Sequence, residues 1–583
     1  MALSIAEYLV TDDLTVLLGL IAATVFLVNN LYKPQPLVHP ILLGRQSDVG
    51  RARNPGESAV YRNYGTGLMG RFPLRPNKDV HILADLVRPE NEGPRTLWAT
   101  KVKPSCLNES RLFTCHRLPT IGFQDRIAAV GTGLLRLAGL KAQESTVLLL
   151  LNDSIEFLLT DLALASHSIL SYTLSSSTLL TSVLDSHRPS AIVTHAFMLP
   201  AILELLYEHT ERSVQHTIVV VGEPSAQALA SVASNITILK FADVEREGVR
   251  TQKILSPVPK PSDVFTVSFY EAENGLIQGA QLTHANITAG VAAIHSLLPA
   301  ANTFTPLDTI TSAHSLSTTY GRTIGYTALY EGTSFSTLVS SATYHIGDRH
   351  DTLDSKDAIS GTQYPIPSPT VLFVRPEHLK AIATDVIKQG ARSWLLYPFA
   401  WRHKVSGVTE GFVTKEGLWD RVVFDGARTK VLGPTAATLR AVIVSGGPIE
   451  ASLMTPARIA LSVPIVNVVS HSLVSGPLLA SHAFDLQDFA PEKTKSGALL
   501  PAHTGPPGVN VEVKLVGVDD EAVENGADPV GVVFVRGPPV GKLVNVEGYV
   551  DVPSENASEE DAWTGIGLRA KVQSNGSFVV LTD

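Results

Sequence analysis

The sequence predicts an α/β protein: two doubly wound α/β subdomains, a small β-rich subdomain after them, and an N-terminal membrane helix in front. Three observations predict it. From about Gln124 onward, short apolar runs alternate with stretches of helical periodicity. The runs are continuously apolar, as in parallel strands covered on both faces. After about Ala490, strand-like runs follow one another without helices between them. Finally, Leu14 to Val28 is a 15-residue stretch without a charge.

That apolar stretch comes first in the chain. Extended to Tyr32 it reaches 19 residues, about 28 Å of helix and enough to cross a bilayer core. Asp12 and Asp13 precede it, and Lys33, Arg45, Arg51 and Arg53 follow. The basic flank places the body of the protein on the cytosolic side. The expected location is therefore a membrane facing the cytosol, whether endoplasmic reticulum, lipid droplet, mitochondrial outer membrane or peroxisome. The alternative is a buried or interfacial N-terminal helix.

Residues 33 to about 53 are rich in Pro, Arg and Gly and read as a linker. Gln124 to Gly139 has apolar residues at helical spacing, Ser145 to Leu151 is a buried-strand run, and Ser154 to Ser168 is helical again. Ala191–Thr194, Pro200–His209 and Thr217–Val221 continue the alternation. Further strands are expected at Val264–Phe269, Thr370–Val374, Leu439–Val444 and Pro464–Val469. Val509–Val516, Val530–Val535 and Ser577–Leu581 are the short strands of the terminal β-rich part. The expected organisation is 1–32 membrane anchor, 33–120 linker and extension, 121–330 and 331–490 α/β subdomains, and 491–583 β-rich subdomain.

Composition excludes several classes. With 44% hydrophobic residues, 17% charged and a net charge of −9, the chain is neither wholly disordered nor a basic nucleic-acid binder. Cys106 and Cys115 are too few for a disulfide framework or a zinc site of their own. They read as two reduced thiols. Six Asn-x-Ser/Thr sites would matter only in a lumen.

Residues 263–292, DVFTVSFYEAENGLIQGAQLTHANITAGVA, read as a strand ending at Phe269, a loop with two glycines, and a helix capped by Thr283 and running to Ala300. Strand, loop, helix is the layout of a phosphate-binding loop. "GAQLTHAN" (279–286) resembles the segment after the phosphate loop of adenylate-forming enzymes, most closely the long-chain fatty acyl-CoA synthetases. "GLWDRVVFDGARTKVLG", "LRAVIVSGGPIEASL" and "VFVRGPPV" follow in the family's order. The resemblance runs from about Arg45 to Asp583. It implies the family's N-terminal domain, ending at the hinge, and a chemistry of fatty acid, ATP, Mg²⁺ and CoA.

The motifs depart from the family pattern. Its phosphate loop resembles Tyr-Thr-Ser-Gly-Thr-Thr-Gly-x-Pro-Lys-Gly. Here Gly275 and Gly279 persist, Gln278 replaces the lysine, and Glu271 and Glu273 stand where hydroxyls should face phosphate. The resemblance places Ser445, Gly446, Gly447 and Pro448 at the adenine side, equally readable as a tight strand-to-helix turn. It places Ser472 beside phosphate and Leu473 where a metal-side glutamate belongs; leucine offers Mg²⁺ no oxygen. His471 beside them reads as structural or as a general base. In Trp563-Thr564-Gly565-Ile566-Gly567 the ribose-side aspartate is missing. His314 and Arg322 fall beside the acyl site.

Two readings follow. One is a membrane-anchored, synthetase-like protein that does not activate fatty acids. It would work by acyl-chain or partner binding, with no cofactor, no metal and no nucleic acid. The other is an active long-chain fatty acid-CoA ligase using ATP, Mg²⁺ and CoA, with the missing C-terminal domain either supplied by another chain or left out because the sequence is a fragment.

Overall fold

The computed structural model describes residues 12–31, 43–50, 52–87, 95–97, 116–118, 120–209, 215–254, 257–345, 353–360, 367–486, 501–545 and 563–581. Cys106 and Cys115 lie outside them.

Three sheets organise the chain. The first has the spatial order Lys542–Asn545, Ile277–Thr283, Val264–Glu271, Leu170–Leu174, Thr146–Leu150, Ala191–His195, His216–Val221, Ile236–Lys240. From Val264–Glu271 to Ile236–Lys240 neighbours run parallel; the two strands beyond are antiparallel. Val147 to Leu150 are fully buried, as continuous apolarity predicts for a doubly covered strand.

The second sheet runs Leu479–Ala480, Ile465–Val469, Ala441–Val444, Val371–Val374, Thr309–Ser312, Ser334–Thr337, Arg95–Leu97, His116–Leu118. It is parallel except for its outermost strand on either side. The third sheet is antiparallel throughout: Ser47–Val49, Tyr61–Asn63, Glu512–Val516, Val530–Arg536, Thr564–Val572, Phe578–Leu581.

Several expectations are corrected. The segment read as a linker supplies Ser47–Val49, and Tyr61–Asn63 lies close behind it. Both are three-residue strands without an apolar run, held in part by the buried Arg62–Glu512 ion pair at 3.3 Å. The sheets also ignore the expected boundaries: Thr309–Ser312 joins the second sheet and Lys542–Asn545 the first. The layout near Phe269 is strand, turn, strand, helix. Thr283 does cap the helix, accepting from Asn286 N while Asn286 Oδ1 accepts from Thr283 N. The helix His284–His295 stops short of Ala300, at Ser296, ahead of Pro299.

A helix does form over Asp13–Leu31. Its leucines, isoleucine, valines and Phe26, as far as its side chains are described, are exposed. Asp13 in its first turn and Asn29 and Asn30 near its end bound the apolar run. Among the described residues no helix is long and apolar enough to cross a membrane. The transmembrane span expected over Leu14–Tyr32 is thus unsupported, and the structure shows a solvent-facing apolar helix.

On one face of the first sheet, helices Thr120–Leu137 and Phe241–Arg250 cross backbone to backbone. A Cβ on Gly133 would collide with the Val244 carbonyl, and one on Gly248 with the Ala129 carbonyl. Each helix thus supplies one glycine to the crossing. Gly133→Ala or Gly248→Ala should each lower stability by about 1–3 kcal/mol through overpacking, measured as a fall in the urea midpoint. An unchanged midpoint for both would mean the helices sit further apart.

Candidate functional site

Doubly wound sheets bind ligands where the strand order reverses, because the loops on either side diverge and leave a crevice. In the second sheet the reversal flanks Thr309–Ser312. The next two parallel strands in sequence, Ser334–Thr337 and Val371–Val374, lie on its opposite sides. The loop after Ser312 carries His314, the one after Val374 carries Arg375, and the one after Val444 carries Ser445.

These residues meet. His314 Nε2 lies 2.7 Å from Ser445 Oγ. Tyr320 packs edge-on against the His314 ring, 5.4 Å between centroids, with its hydroxyl toward Ser445. Gly446 has φ +90°, and a Cβ there would sit 3.4 Å from His314 Cε1. This turn favours glycine for its positive φ. Gly447 lies over Pro376, and Gly446, Gly447 and Pro448 are exposed. Burial, then the positive Arg375 and the neighbouring His378, push His314 down to about 3. It is therefore neutral at physiological pH, with one ring nitrogen committed to Ser445. Such a residue does not shuttle protons near neutrality.

The segment expected as a phosphate loop is a β-hairpin. Phe269 faces Gly279, Tyr270 faces Gln278, and Glu271 faces Ile277. The turn closes by Ala272 N donating to Leu276 O and Gly275 N to Ala272 O, with Gly275 at φ +76°. Gly279 is buried, and a Cβ there would stand 2.9 Å from Val267 Cγ1. Glu271, Glu273 and Asn274 are exposed. Gln278 Oε1 accepts from the Tyr270 hydroxyl at 3.0 Å, and burial pushes that phenol up to about 12.

Against this hairpin lies the next motif. Leu473 is buried in one apolar cluster with Tyr270, Ala280 and Val474. His471 Nδ1 accepts from Leu473 N at 3.2 Å, and its ring meets Tyr270 edge-on at 5.6 Å. Burial holds His471 down at about 4. Ser472 is half-buried beside them. Ile566 is buried in the same cluster, and the Glu273 carboxylate approaches Gly567. The hairpin, the Ser472–Leu473 segment and the Gly565–Gly567 segment therefore lie together.

Arg322 belongs elsewhere. It is fully buried and donates to Thr266 Oγ1 at 2.9 Å, Thr173 Oγ1 at 2.8 Å and Leu316 O at 3.2 Å. Asp161, also fully buried, lies 3.7 Å away. This is a packing role, and no part of the side chain reaches the surface. Sequence reading missed Arg375, Tyr320 and the buried His378–Asp357 contact of 2.6 Å. The Arg375-Pro376 step directly after an apolar strand was the available signal.

Among the described residues no group of three His, Cys, Asp or Glu side chains could hold a metal ion. Where the resemblance expects a Mg²⁺ ligand, a triphosphate cradle and a ribose partner, the structure has a core leucine, exposed carboxylates and a core isoleucine. The residues present do not fit Mg-ATP.

Two outcomes can be measured. Arg322→Met leaves Asp161 buried without its cation and should cost about 3–5 kcal/mol. The double change Arg322→Met with Asp161→Leu should recover part of that loss in denaturant unfolding. The second concerns acid. His284 and His471 sit near about 4 and His314 near about 3, all chiefly through burial. As pH falls from the ordinary histidine value of 6.5 toward about 4, the unfolded chain takes up protons that the folded one refuses, so stability drops. Asp153, pushed up to about 6 by burial, and His295, raised by Glu331, work the other way. The histidines outnumber them, so the urea midpoint should be lower near pH 5 than near pH 7. A higher midpoint at acid pH would contradict the burial of these rings.

Comparison with known proteins agrees with this architecture. The family model for "AMP-binding enzyme" matches residues 122–549. Human long-chain-fatty-acid--CoA ligase 1 is 25% identical over 328 residues, 55% of this chain and 41% of the relative. Long chain acyl-CoA synthetase 7, peroxisomal, of Arabidopsis thaliana is 25% identical over 430 residues, 71% of this chain and 54% of the relative. The chain thus spans about half the length of these curated relatives. Among solved structures, a long-chain-fatty-acid-CoA ligase from Archaeoglobus fulgidus superposes with TM-score 0.57 at 13% identity, covering 87% of this chain and 84% of that one. An anthranilate CoA ligase bound to anthranoyl-AMP gives TM-score 0.57 at 15% identity, covering 86% and 78%. These structural likenesses speak for the fold. Since the family model spans most of the chain, the chain belongs to the AMP-binding enzyme family.

Proposed function

We propose that this is an acyl-CoA synthetase-like protein that does not carry out ordinary ATP-dependent fatty acid activation and acts by binding an acyl chain or a partner. One observation carries the reading. The three segments that converge beside Tyr270 lack the charge chemistry a nucleotide needs. Glu271 and Glu273 are exposed carboxylates, and Leu473 and Ile566 are core residues. A carboxylate about 4 Å from a phosphate charge costs about 1 kcal/mol in water and about 4 kcal/mol at an effective dielectric of 20. Two carboxylates in place of hydroxyls, and glutamine in place of lysine, act in the same direction.

The solvent-facing apolar helix Asp13–Leu31 supports attachment to a membrane, with the basic residues after it favouring a cytosolic body. The names of the curated relatives favour the second reading, an active long-chain fatty acid-CoA ligase that would use ATP, Mg²⁺ and CoA.

Thermal unfolding with and without Mg-ATP separates the two. A ligand at 100 times its dissociation constant stabilises by about 2.7 kcal/mol. No shift in the melting temperature is expected here, and a clear one would favour the ligase. The triple change Glu271→Ser, Glu273→Thr and Gln278→Lys alters two exposed hairpin residues and the half-buried partner of the Tyr270 hydroxyl, and should raise Mg-ATP affinity. If affinity stayed the same, hairpin electrostatics would not be what opposes the nucleotide.

A further inference from the structure

Helices Pro376–Gly390 and Tyr397–Thr409 meet at a corner, residues 391–396, on the outer side of the second sheet. The corner is anchored from below. Tyr397 packs on Phe424 and Trp401 at 6.2 and 5.8 Å between centroids. Ala400, Val408, Val423, Phe424 and Ile459 form a small core there. Its outer side is apolar and bare: Trp394 is 75% exposed, Phe399 65% and Leu395 59%, with exposed Leu418 and Val422 on the neighbouring segment. Single exposed leucines are ordinary, whereas a cluster of large apolar side chains marks an interaction surface.

The rim is basic. Lys388, Arg392, Arg402 and Arg421 are exposed and form no ion pair among the described residues. Residues 388–422 hold six Lys and Arg against three Asp and Glu, in a chain with nine more acids than bases. One of those three acids, Asp420, is buried and paired with Lys404 and Arg428. A positive rim around Trp, Phe and Leu suits anionic headgroups over acyl chains, where the indole sits at the boundary. A second copy docked across a two-fold axis would set like-charged rims against each other.

We infer that this corner is a membrane-docking surface for a bilayer containing anionic lipid, a contact additional to the helix Asp13–Leu31. The inference rests on the membrane attachment proposed above only in sharing its target. Stable peripheral attachment generally takes two signals, and the chain exposes two separate apolar elements.

Flotation of the full chain with vesicles tests it, using phosphatidylcholine alone and phosphatidylcholine with phosphatidylserine. Arg392→Gln with Arg402→Gln should weaken partitioning onto the anionic vesicles about thirtyfold and leave the neutral ones nearly unchanged. Trp394→Ser with Phe399→Ser should weaken both. Both pairs are exposed, so melting temperatures should stay put. A comparison variant, Leu17→Asp with Ile21→Asp, removes the helix contribution. If that variant still floats in a charge-dependent way and the corner variants do not, the corner docks. If the corner variants float like the wild type, the inference is overturned while the helix reading stands. A wild-type chain that never floats removes both readings. Loss of a concentration-dependent dimer in Trp394→Ser with Phe399→Ser, without any change in flotation, would reassign the face to self-association and overturn the inference.

Discussion

The two parallel sheets are fixed to each other by a seam of buried polar groups that must all be satisfied at once. Asp153, in the loop after the central strand Thr146–Leu150, accepts from Ser315 Oγ at 3.0 Å, Leu316 N at 2.7 Å and Ser341 Oγ at 2.6 Å. Asn152 beside it donates to Tyr344 O and accepts from Thr343 N and Tyr344 N. Arg322 reaches the opposite way, from the helix Thr319–Glu331 to Thr173 and Thr266 on two strands of the first sheet. Its partner Asp161 also takes the Tyr326 hydroxyl. In a dry interior each unpaired member would cost several kcal/mol, so any sliding of one sheet against the other is opposed at many points.

The seam also sets the candidate site. Ser315 and Leu316 are gripped by Asp153, and His314 is their immediate neighbour in the chain. The ring that meets Ser445 is thus positioned by a carboxylate of the other sheet. Burial raises Asp153 to about 6, so the three groups that donate to it offset only part of its desolvation. Fold and crevice are one electrostatic construction, in which a buried anion orders the loop and a neutral imidazole projects from it.

Periodicity made most of the parallel strands legible, because a strand covered on both faces must be apolar along its length. It could not show the three-residue strands Ser47–Val49 and Tyr61–Asn63, whose pairing is decided by distant partners such as Glu512. The hairpin at Gly275 had a local signal, Asn274-Gly275 between two apolar runs, which is turn chemistry. The likeness to a phosphate loop outweighed it. Arg322 was read toward the acyl site because sequence gives order along the chain and no depth; only packing reveals that it is sealed inside. His314 and Ser445 were each picked out singly, and their contact depends on strand order, which no spacing along the chain encodes.

The altered motif positions differ in how tightly they are tied to the fold. Glu271 and Glu273 are exposed on the hairpin, so their identity is nearly free of consequence for stability and bears mainly on what may approach. Leu473 is the opposite case. It is 1% exposed in a cluster with Tyr270, Val474 and Leu478, and its carbonyl accepts from Gly541 N at 2.8 Å. A carboxylate there would enter an apolar interior, and desolvation would keep it protonated or displace it. An acidic side chain at position 473 therefore demands rebuilding the cluster around Tyr270, whereas changing Glu271 and Glu273 demands nothing of the core. The leucine at 473 is built into the packing of this protein, while the carboxylates of Glu271 and Glu273 lie on its surface.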